Sequence, residues 1–423
     1  MVDVKQQTCF SALKIRLKPT KEQENFFWRC CGISRFAYNW ALFKIESNFD
    51  NGVTKIDAGQ IKKEFHREKR ENPELSFLYA VSCDVAKKAI DNCCYAYFRY
   101  FKKRKESGYE PYTKKKIEHS KRTGKVLTKF DITDHPKPKT RKNSRKSFYV
   151  DWFQVKINED SIHIPRIGKV KTRNSHHGVQ TFPLKSLGKS PKFVNAHIAF
   201  DGKYWIFSAG YEFEIQDNTD KRSDPIGIDL GIKETAVCSD GTVFQNINKS
   251  NRLKKLQKQK KRMQRKFSRK LRLNNHRKSE NSKKLIRKLQ LLDRKITNIK
   301  TDFRHKMTSE IVKRNPSFVI LETLNVHGMM KNKHLSRSIW EQGWYSITTY
   351  LQQKCERHQI ELIKADRWYA SSKTCSSCKS IKQDLTLKDR IFRCPTCGFI
   401  IDRDFNAAIN LKNYGLTLKN IVA

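Results

Sequence analysis

The stretch 226-IGIDLGIKETAVCSDGTVF-244 places one acid, Asp229, inside an otherwise apolar run. A core strand does not normally carry a charge there, because removing a carboxylate from water is costly unless it is paired or holds a cation. Two readings follow. If Asp229 is solvated, the stretch is an ordinary hairpin. If it holds a metal, the chain must supply acidic partners elsewhere, since a single Asp in a strand is weak evidence by itself.

Such partners are present. The run 316-PSFVILETLNV-326 has the composition of a buried strand and ends in one acid, Glu322. The segment 358-HQIELIKAD-366 reads as a further strand, and 402-DRDFNAAINLKNYG-415 opens a helix with Asp402 and Asp404, either of which would lie at the helix N-terminus. The order is therefore a hairpin with an early Asp, a long helical insert, a strand with a terminal Glu, a helix, a strand, and an Asp opening a last helix. This order matches a ribonuclease H-type α/β fold, in which acids from the first strand, a later strand and the last helix converge at one sheet edge. Mg²⁺ prefers hard oxygen ligands in octahedral geometry, and two such ions roughly 4 Å apart clamp the attacking water and the leaving oxygen of a phosphodiester. Without those ions three converging carboxylates would repel one another, so a structural role makes little sense of them.

Just before the last acid, 374-TCSSCKSIKQDLTLKDRIFRCPTCG-398 holds Cys375, Cys378, Cys394 and Cys397 in C-x2-C-x15-C-x2-C spacing. Two such knuckles present four thiolates to one tetrahedral Zn²⁺. Four protein ligands leave no open position, so this zinc is expected to be structural.

Composition narrows the partner. The chain has 423 residues, enough for two or three domains, with 88 Lys and Arg against 42 acids, a formal charge of +46. Charge of this size invites a polyanion. No apolar run reaches the roughly 18 residues of a spanning helix, and the first residues, MVDVKQQTCF, lack the apolar segment of a signal peptide. The other eight of the twelve cysteines have no regular spacing, as in Cys30-Cys31 and Cys93-Cys94, so they do not form a secreted disulfide framework. A reduced, cytoplasmic, nucleic-acid-bound protein is expected, with no membrane partner. No GxxxxGK[ST] or GxGxxG motif occurs, so nucleotide hydrolysis is not implied.

Toward the N-terminus, ALKIRLKPT reads as a strand ending at Pro19, and Thr20 with Gln23 forms a capping-box start. The helix that follows carries Phe26, Phe27, Cys30, Phe36, Trp40 and Phe43 near helical spacing, a core-forming pattern, with a break expected around Gly32. A second helix spans CDVAKKAIDNCCYAYFRYFKKRKE. Residues 110–150 read as loops or a boundary, residues 147–215 as a β-rich module of strand pairs turning at sites such as Asp201-Gly202, and QDNTDKRSDP as a linker. Residues 251–300 carry 21 Lys or Arg and only Glu280 and Asp293 as acids. They read as two long helices broken near NNHRKSEN, with an apolar stripe from Leu253 to Ile299. Their one-signed charge favours phosphate contact over a neutral solvated face.

Together, GIDLGIKETAV, LETLNVHGMMKNKHLSRSIWEQGW, SSKTCSSC, CPTCG and DRDFNAAIN resemble TnpB, the transposon-encoded RNA-guided nuclease family regarded as ancestral to type V CRISPR effectors. RLKPTKEQENFFWRCCGISRFAYNWAL resembles its N-terminal helical region, so the likeness covers almost the whole chain. It implies a multidomain protein: a wedge strand (1–18), a helical recognition domain (19–130), a β-barrel wedge domain (131–218), and a RuvC-like nuclease core (219–370) with its basic insert (251–305). A zinc ribbon (371–400) and the last nuclease motif (401–423) complete it. By motif the catalytic, magnesium-binding acids are Asp229, Glu322 and Asp404, with Asp404 preferred to Asp402 because it directly precedes FNAA. The resemblance further implies one structural zinc, two Mg²⁺ or Mn²⁺ ions, a guide RNA from the element's own end, and cleavage of double-stranded DNA beside a short motif. It also implies a monomer, with a dimer as the alternative, in a prokaryotic, nucleoid-associated cytoplasm. Thr323 stands where the family often has a second acid, and Lys379 where glycine commonly follows the second cysteine.

A compact type V effector and a nuclease-inactive RNA-guided binder are the competing functions, the latter opposed by the presence of all three acids. A stand-alone junction resolvase would leave the basic N-terminal half and the ribbon unexplained. A DDE-type transposase explains less of the chain than a guided nuclease.

Overall fold

The computed structural model describes residues 8–105, 113–124, 126–151, 153, 155–158, 160–172, 193–214, 221–274, 277, 279–386 and 389–422. They divide into two compact units, Phe10–Phe213 and the part from Glu214 onward, with which Thr8 and Cys9 are grouped.

The N-terminal unit opens with β1 (Thr8–Lys18), which stops at Pro19, and α1 (Lys21–Asp50). Thr20 caps α1 as expected: the Gln23 N–H donates to Thr20 Oγ1 (3.2 Å) and the Thr20 N–H to Gln23 Oε1 (3.1 Å). The break expected near Gly32 does not occur. One mid-helix glycine costs only about 1 kcal/mol, and the buried row Phe27, Cys30, Ile33, Ala37, Ala41 and Ile45 runs through it in register. Phe26, Phe36 and Trp40 pack against that core, whereas Phe43 is exposed. Next come α2 (Ala58–Glu71), α3 (Cys83–Lys105) and α4 (Lys114–Thr123). The last is a helix inside the stretch read as loop, ended by Gly124 at φ 65°.

The strands β2 (Ser147–Tyr149), β3 (Lys156–Ile157), β4 (Ser161–Ile164), β5 (Gly168–Thr172), β6 (Phe193–Phe200) and β7 (Trp205–Glu214) join β1 in one sheet, ordered β2-β6-β7-β1-β5-β4-β3. The β6–β7 hairpin turns at Asp201-Gly202, where Asp201 Oδ1 accepts the N–H groups of Lys203 (3.0 Å) and Tyr204 (2.8 Å). Helices and sheet share one core that includes Phe27, Ile90, Tyr97, Ile162, Ile198 and Phe207. Of the expected linker, 216–220 lie outside the described residues.

The second unit is built on a five-stranded sheet, β10-β9-β8-β11-β12. An antiparallel meander of β8 (Ile226–Leu230), β9 (Glu234–Cys238) and β10 (Val243–Gln245) leads into α5 (Asn251–Leu273) and α6 (Glu280–Lys313). These are the two expected basic helices; of the break between them, 275, 276 and 278 lie outside the described residues. They close on Leu253, Leu292 and Ile296, with Leu256, Met263 and Ile299 beside them. Then β11 (Phe318–Leu321) returns parallel to β8, and α7 (Val326–Met329), α8 (Ser336–Gln342) and α9 (Trp344–Arg357) lead to β12 (Glu361–Lys364), parallel to β11. The ribbon strands β13 (Ile391–Arg393) and β14 (Ile400–Asp402) pair antiparallel before α10 (Arg403–Val422). A mixed sheet in the order 3-2-1-4-5, covered on one face by α6 and α9 and on the other by α10, is the ribonuclease H-like architecture.

Alternation along the strands sorts these faces. Ile226, Ile228, Leu230, Val319 and Leu321 pack with Met307, Ile311, Ile347 and Leu351 from α6 and α9. Phe318, Ile320 and Ala365 pack with Leu411 of α10. No described helix is long and apolar enough to cross a membrane.

Candidate active site

The two-residue period of a strand places Gly227 and Asp229 on the α10 face, and Phe318, Ile320 and Glu322 on the same face. The register is parallel, with Leu321 beside Ile228. Glu322, the next residue, therefore leaves β11 beside Asp229, and the Leu230 N–H donates to Glu322 Oε1 (3.3 Å). Both acids continue apolar rows at the point where the strands run out.

Helix α10 supplies the third acid because it lies directly on β8. A Cβ at Gly227 would collide with the Ala408 carbonyl, the Lys412 amide and the Leu411 side chain. Glycine at 227 and alanines at 407 and 408 thus permit backbone-to-backbone approach, and Asp404 in the first turn of α10 comes over the strand end. Burial first, then the charges of Glu322 and Asp404, raise the Asp229 carboxyl well above the usual range, while Arg403 opposes the shift. Burial, opposed by the Leu230 N–H and assisted by Asp404, pushes Glu322 up to about 7. Such a cluster of half-buried carboxylates is short of positive charge, and the donor set of hard oxygens fits Mg²⁺ or Mn²⁺.

Asp402 is differently placed. It is exposed, and its Oδ1 accepts the N–H groups of Asp404 (2.9 Å) and Phe405 (3.0 Å), which makes it the N-cap of α10. Arg403 was not singled out from sequence. Its Nε and Nη2 both donate to Asp404 Oδ1 (3.2 and 3.1 Å), and its backbone N–H donates to Arg390 O (2.8 Å) in the ribbon. Thr323, in the place of the family's frequent acid, donates Oγ1–H to Ala365 O (2.6 Å) and ties the ends of β11 and β12.

Among the described residues, Cys375, Cys378, Cys394 and Cys397 form the one set of three or more potential ligands whose donor atoms all lie within 4.8 Å of one another. Cys375 and Cys397 sulfurs are 3.8 Å apart and Cys378 and Cys394 sulfurs 3.5 Å. Tetrahedral coordination with Zn–S bonds of about 2.3 Å requires S···S of about 3.8 Å, so the thiols fit one zinc. The two knuckles repeat each other: Lys379 N–H donates to Cys375 O and Gly398 N–H to Cys394 O, at 3.0 and 3.1 Å. Lys379 and Gly398 both take left-handed φ, 66° and 73°, which explains the usual glycine at this position. The ribbon is moored to α10 by two buried asparagines that sequence reasoning also missed. Asn406 Nδ2 donates to Thr374 O (2.7 Å), and Asn410 Nδ2 to Ser371 O (2.8 Å) and Thr374 O (2.6 Å). Their four-residue spacing was the available signal.

Three family models match the chain: a helix-turn-helix domain over 11–52, here β1 and the single helix α1; the "Probable transposase" of IS605 OrfB type over 208–333; and the TNB domain of Cas12f1-like proteins over 344–411. A "Putative RNA-guided DNA endonuclease" of Streptomyces pristinaespiralis is 28% identical over 96% of this chain and 89% of its own length. "Putative RNA-guided DNA endonuclease InsQ" of Escherichia coli K12 is 27% identical over 95% and 91%. A cryo-EM structure of a Cas12f1–sgRNA–target DNA complex covers 96% of this chain and 99% of its own, at 15% identity and a TM-score of 0.47. From one end of the sequence to the other, then, the chain is similar to IS605 OrfB-type transposon proteins, to TnpB-like proteins and to proteins named putative RNA-guided DNA endonucleases, the family that its motifs resemble.

Proposed function

We propose that the protein is an RNA-guided DNA endonuclease: it binds a guide RNA and hydrolyses complementary double-stranded DNA beside a short adjacent motif. The observation that carries the proposal is that the buried Asp229 carboxyl feels the charges of both Glu322 and Asp404, in a chain of net charge +46. The names of its full-length relatives support the guided, DNA-cutting part.

In this proposal Asp229, Glu322 and Asp404 hold two Mg²⁺ or Mn²⁺ ions. When bound, those ions supply an activated water and stabilise the leaving oxygen. The protein's own contribution is placement. Sheet register sets Glu322 against Asp229, the Gly227 contact sets α10, and Asp402 caps that helix so that Asp404 is presented with a fixed backbone. Arg403 holds Asp404 Oδ1 and offsets part of the cluster's negative charge. One zinc in the four thiols is structural, keeping the ribbon, and with it the start of α10, in place.

Residues 219–370 with the insert 251–305 would be the nuclease core, 19–130 the recognition lobe, and 1–18 with 131–218 the wedge that reads the adjacent motif. The chain would act as a monomer in the cytoplasm, a dimer being the alternative. The test is analysis of what co-purifies with the protein. A structured RNA with a constant scaffold and a variable end, together with one zinc per chain, is expected. Absence of bound RNA would sink the reading.

A further inference from the structure

Strand β12 leaves the sheet at the same edge as the acids. It is parallel to β11, with Lys364 beside Leu321, so Ala365 stands beside Glu322. The Ala365 N–H donates to Leu321 O (2.8 Å), and Thr323 holds Ala365 O from the other side (2.6 Å). Three residues on is Trp368, at most about 11 Å along the chain from Ala365.

Its loop is well anchored. Trp368 N–H donates to Asp366 Oδ1 (2.7 Å) and Tyr369 N–H to Asp366 O (3.2 Å). The Tyr369 ring stacks on Tyr414 of α10 (centroids 4.2 Å apart), and its hydroxyl donates to Asn410 O (3.1 Å). With Asp366 and Tyr369 anchored, the Trp368 side chain is 81% exposed, and the Arg367 guanidinium lies 5.1 Å from its ring. An indole held out of the core forfeits a large burial gain. Its chain neighbours Lys364, Asp366 and Arg367 are exposed and charged, so along the chain it is flanked by charge and not by the exposed apolar residues that a protein-docking anchor would bring. A flat aromatic face next to a cation is instead what a nucleobase and its phosphate require.

We propose that Arg367 and Trp368 form a stacking platform that holds a base of the single strand delivered to Asp229, Glu322 and Asp404. The proposal rests on the nuclease reading above. Trp368 takes any base by its π-face, and Arg367 meets the adjoining phosphate. The platform therefore sets the position of the scissile bond without reading sequence.

The test uses the full chain carrying Asp229→Ala and a fluorescein-labelled oligothymidine. Salt is raised to about 0.5 M, where phosphate contacts are largely screened and stacking persists. Trp368→Ala is expected to weaken binding about tenfold, Trp368→Phe to restore most of the loss, and Trp368→Leu, apolar but without a π-face, to behave as Ala. Duplex binding and melting temperature are expected to stay constant across the three. Equal affinity of the Leu and Phe variants, or unchanged affinity of the Ala variant, would overturn the platform. So would a change of sedimentation coefficient in the Ala variant, which would mark a protein-docking surface. Cleavage by the chain with Asp229 intact is scored separately. Loss of oligothymidine binding in Trp368→Ala with no nuclease activity in the parent would leave the platform standing and remove the nuclease reading.

Discussion

At Asp229 and Glu322, burial and the charge of neighbouring acids, Asp404 among them, act in the same direction, and this gives the site a pH signature. Glu322 titrates near 7 in the folded chain against an ordinary 4.5. Between those values the folded state keeps a proton that the unfolded state has released. The associated stability is therefore fully present below about 4.5 and is lost as pH rises to about 7. The metal-free protein should melt at progressively lower temperature from pH 5 to 7.5, Glu322→Gln should flatten that slope, and Mg²⁺ should offset it. A flat profile in the parent would show that Glu322 is not held in this environment. Asp404→Ala should abolish cleavage while RNA and target binding survive, because affinity comes from basic surfaces. Asp402→Ala should cost about 1 kcal/mol of stability as a lost N-cap and leave cutting measurable; the reverse pattern would exchange the two acids. Asp229 and Glu322 stand out in the sequence because one interrupts an apolar run and the other ends one. Arg403 was not, since one Arg among 88 basic residues carries no signal until its guanidinium is seen on Asp404.

Among the elements, α10 decides whether the third acid arrives. Its close approach to β8 depends on a position with no Cβ, so Gly227→Ala forces the helix outward against the Ala408 carbonyl and Lys412 amide. Overpacking of this kind costs roughly 1–3 kcal/mol. Here it should also displace Asp404, so cleavage should fall by more than tenfold at temperatures where the variant is fully folded by circular dichroism. Full activity in a folded Gly227→Ala protein would mean that α10 placement is not limiting. Strands, caps and knuckles were readable because each rests on local chemistry: Thr20 with Gln23, Asp201 with Gly202, and the CxxC pairs. The continuity of α1 through Gly32 was not, because it is set by the buried row on the helix rather than by the glycine itself. The helix Lys114–Thr123 was missed for a related reason: its sequence, KKKIEHSKRT, carries a single apolar residue and so no periodicity to read.

Across the whole molecule, the order of acids along the chain was enough to anticipate the nuclease sheet, whereas no sequence signal reported that helices and strands of the N-terminal half share one core. The basic hairpin α5–α6 shows which charges are available. Lys258, Lys261 and Arg262 are exposed, while Lys260 is half-buried and paired with Asp293. Replacing the three exposed residues by Gln should weaken RNA or heteroduplex binding and lower its salt slope by about 2–3, at 0.7–0.9 per lost phosphate contact. Lys260→Gln alone should chiefly loosen the hairpin. The preferred target motif should not change in either. A changed motif with an unchanged salt slope would move motif reading into this insert. The account as a whole is tested by reprogramming: the purified protein is loaded with its RNA, the variable end of that RNA is replaced, and plasmid cleavage is mapped in Mg²⁺. The predicted result is a cut that moves with the new guide and disappears in Asp229→Ala without loss of target binding; a cut that ignores the guide, or that persists without Asp229, would contradict it.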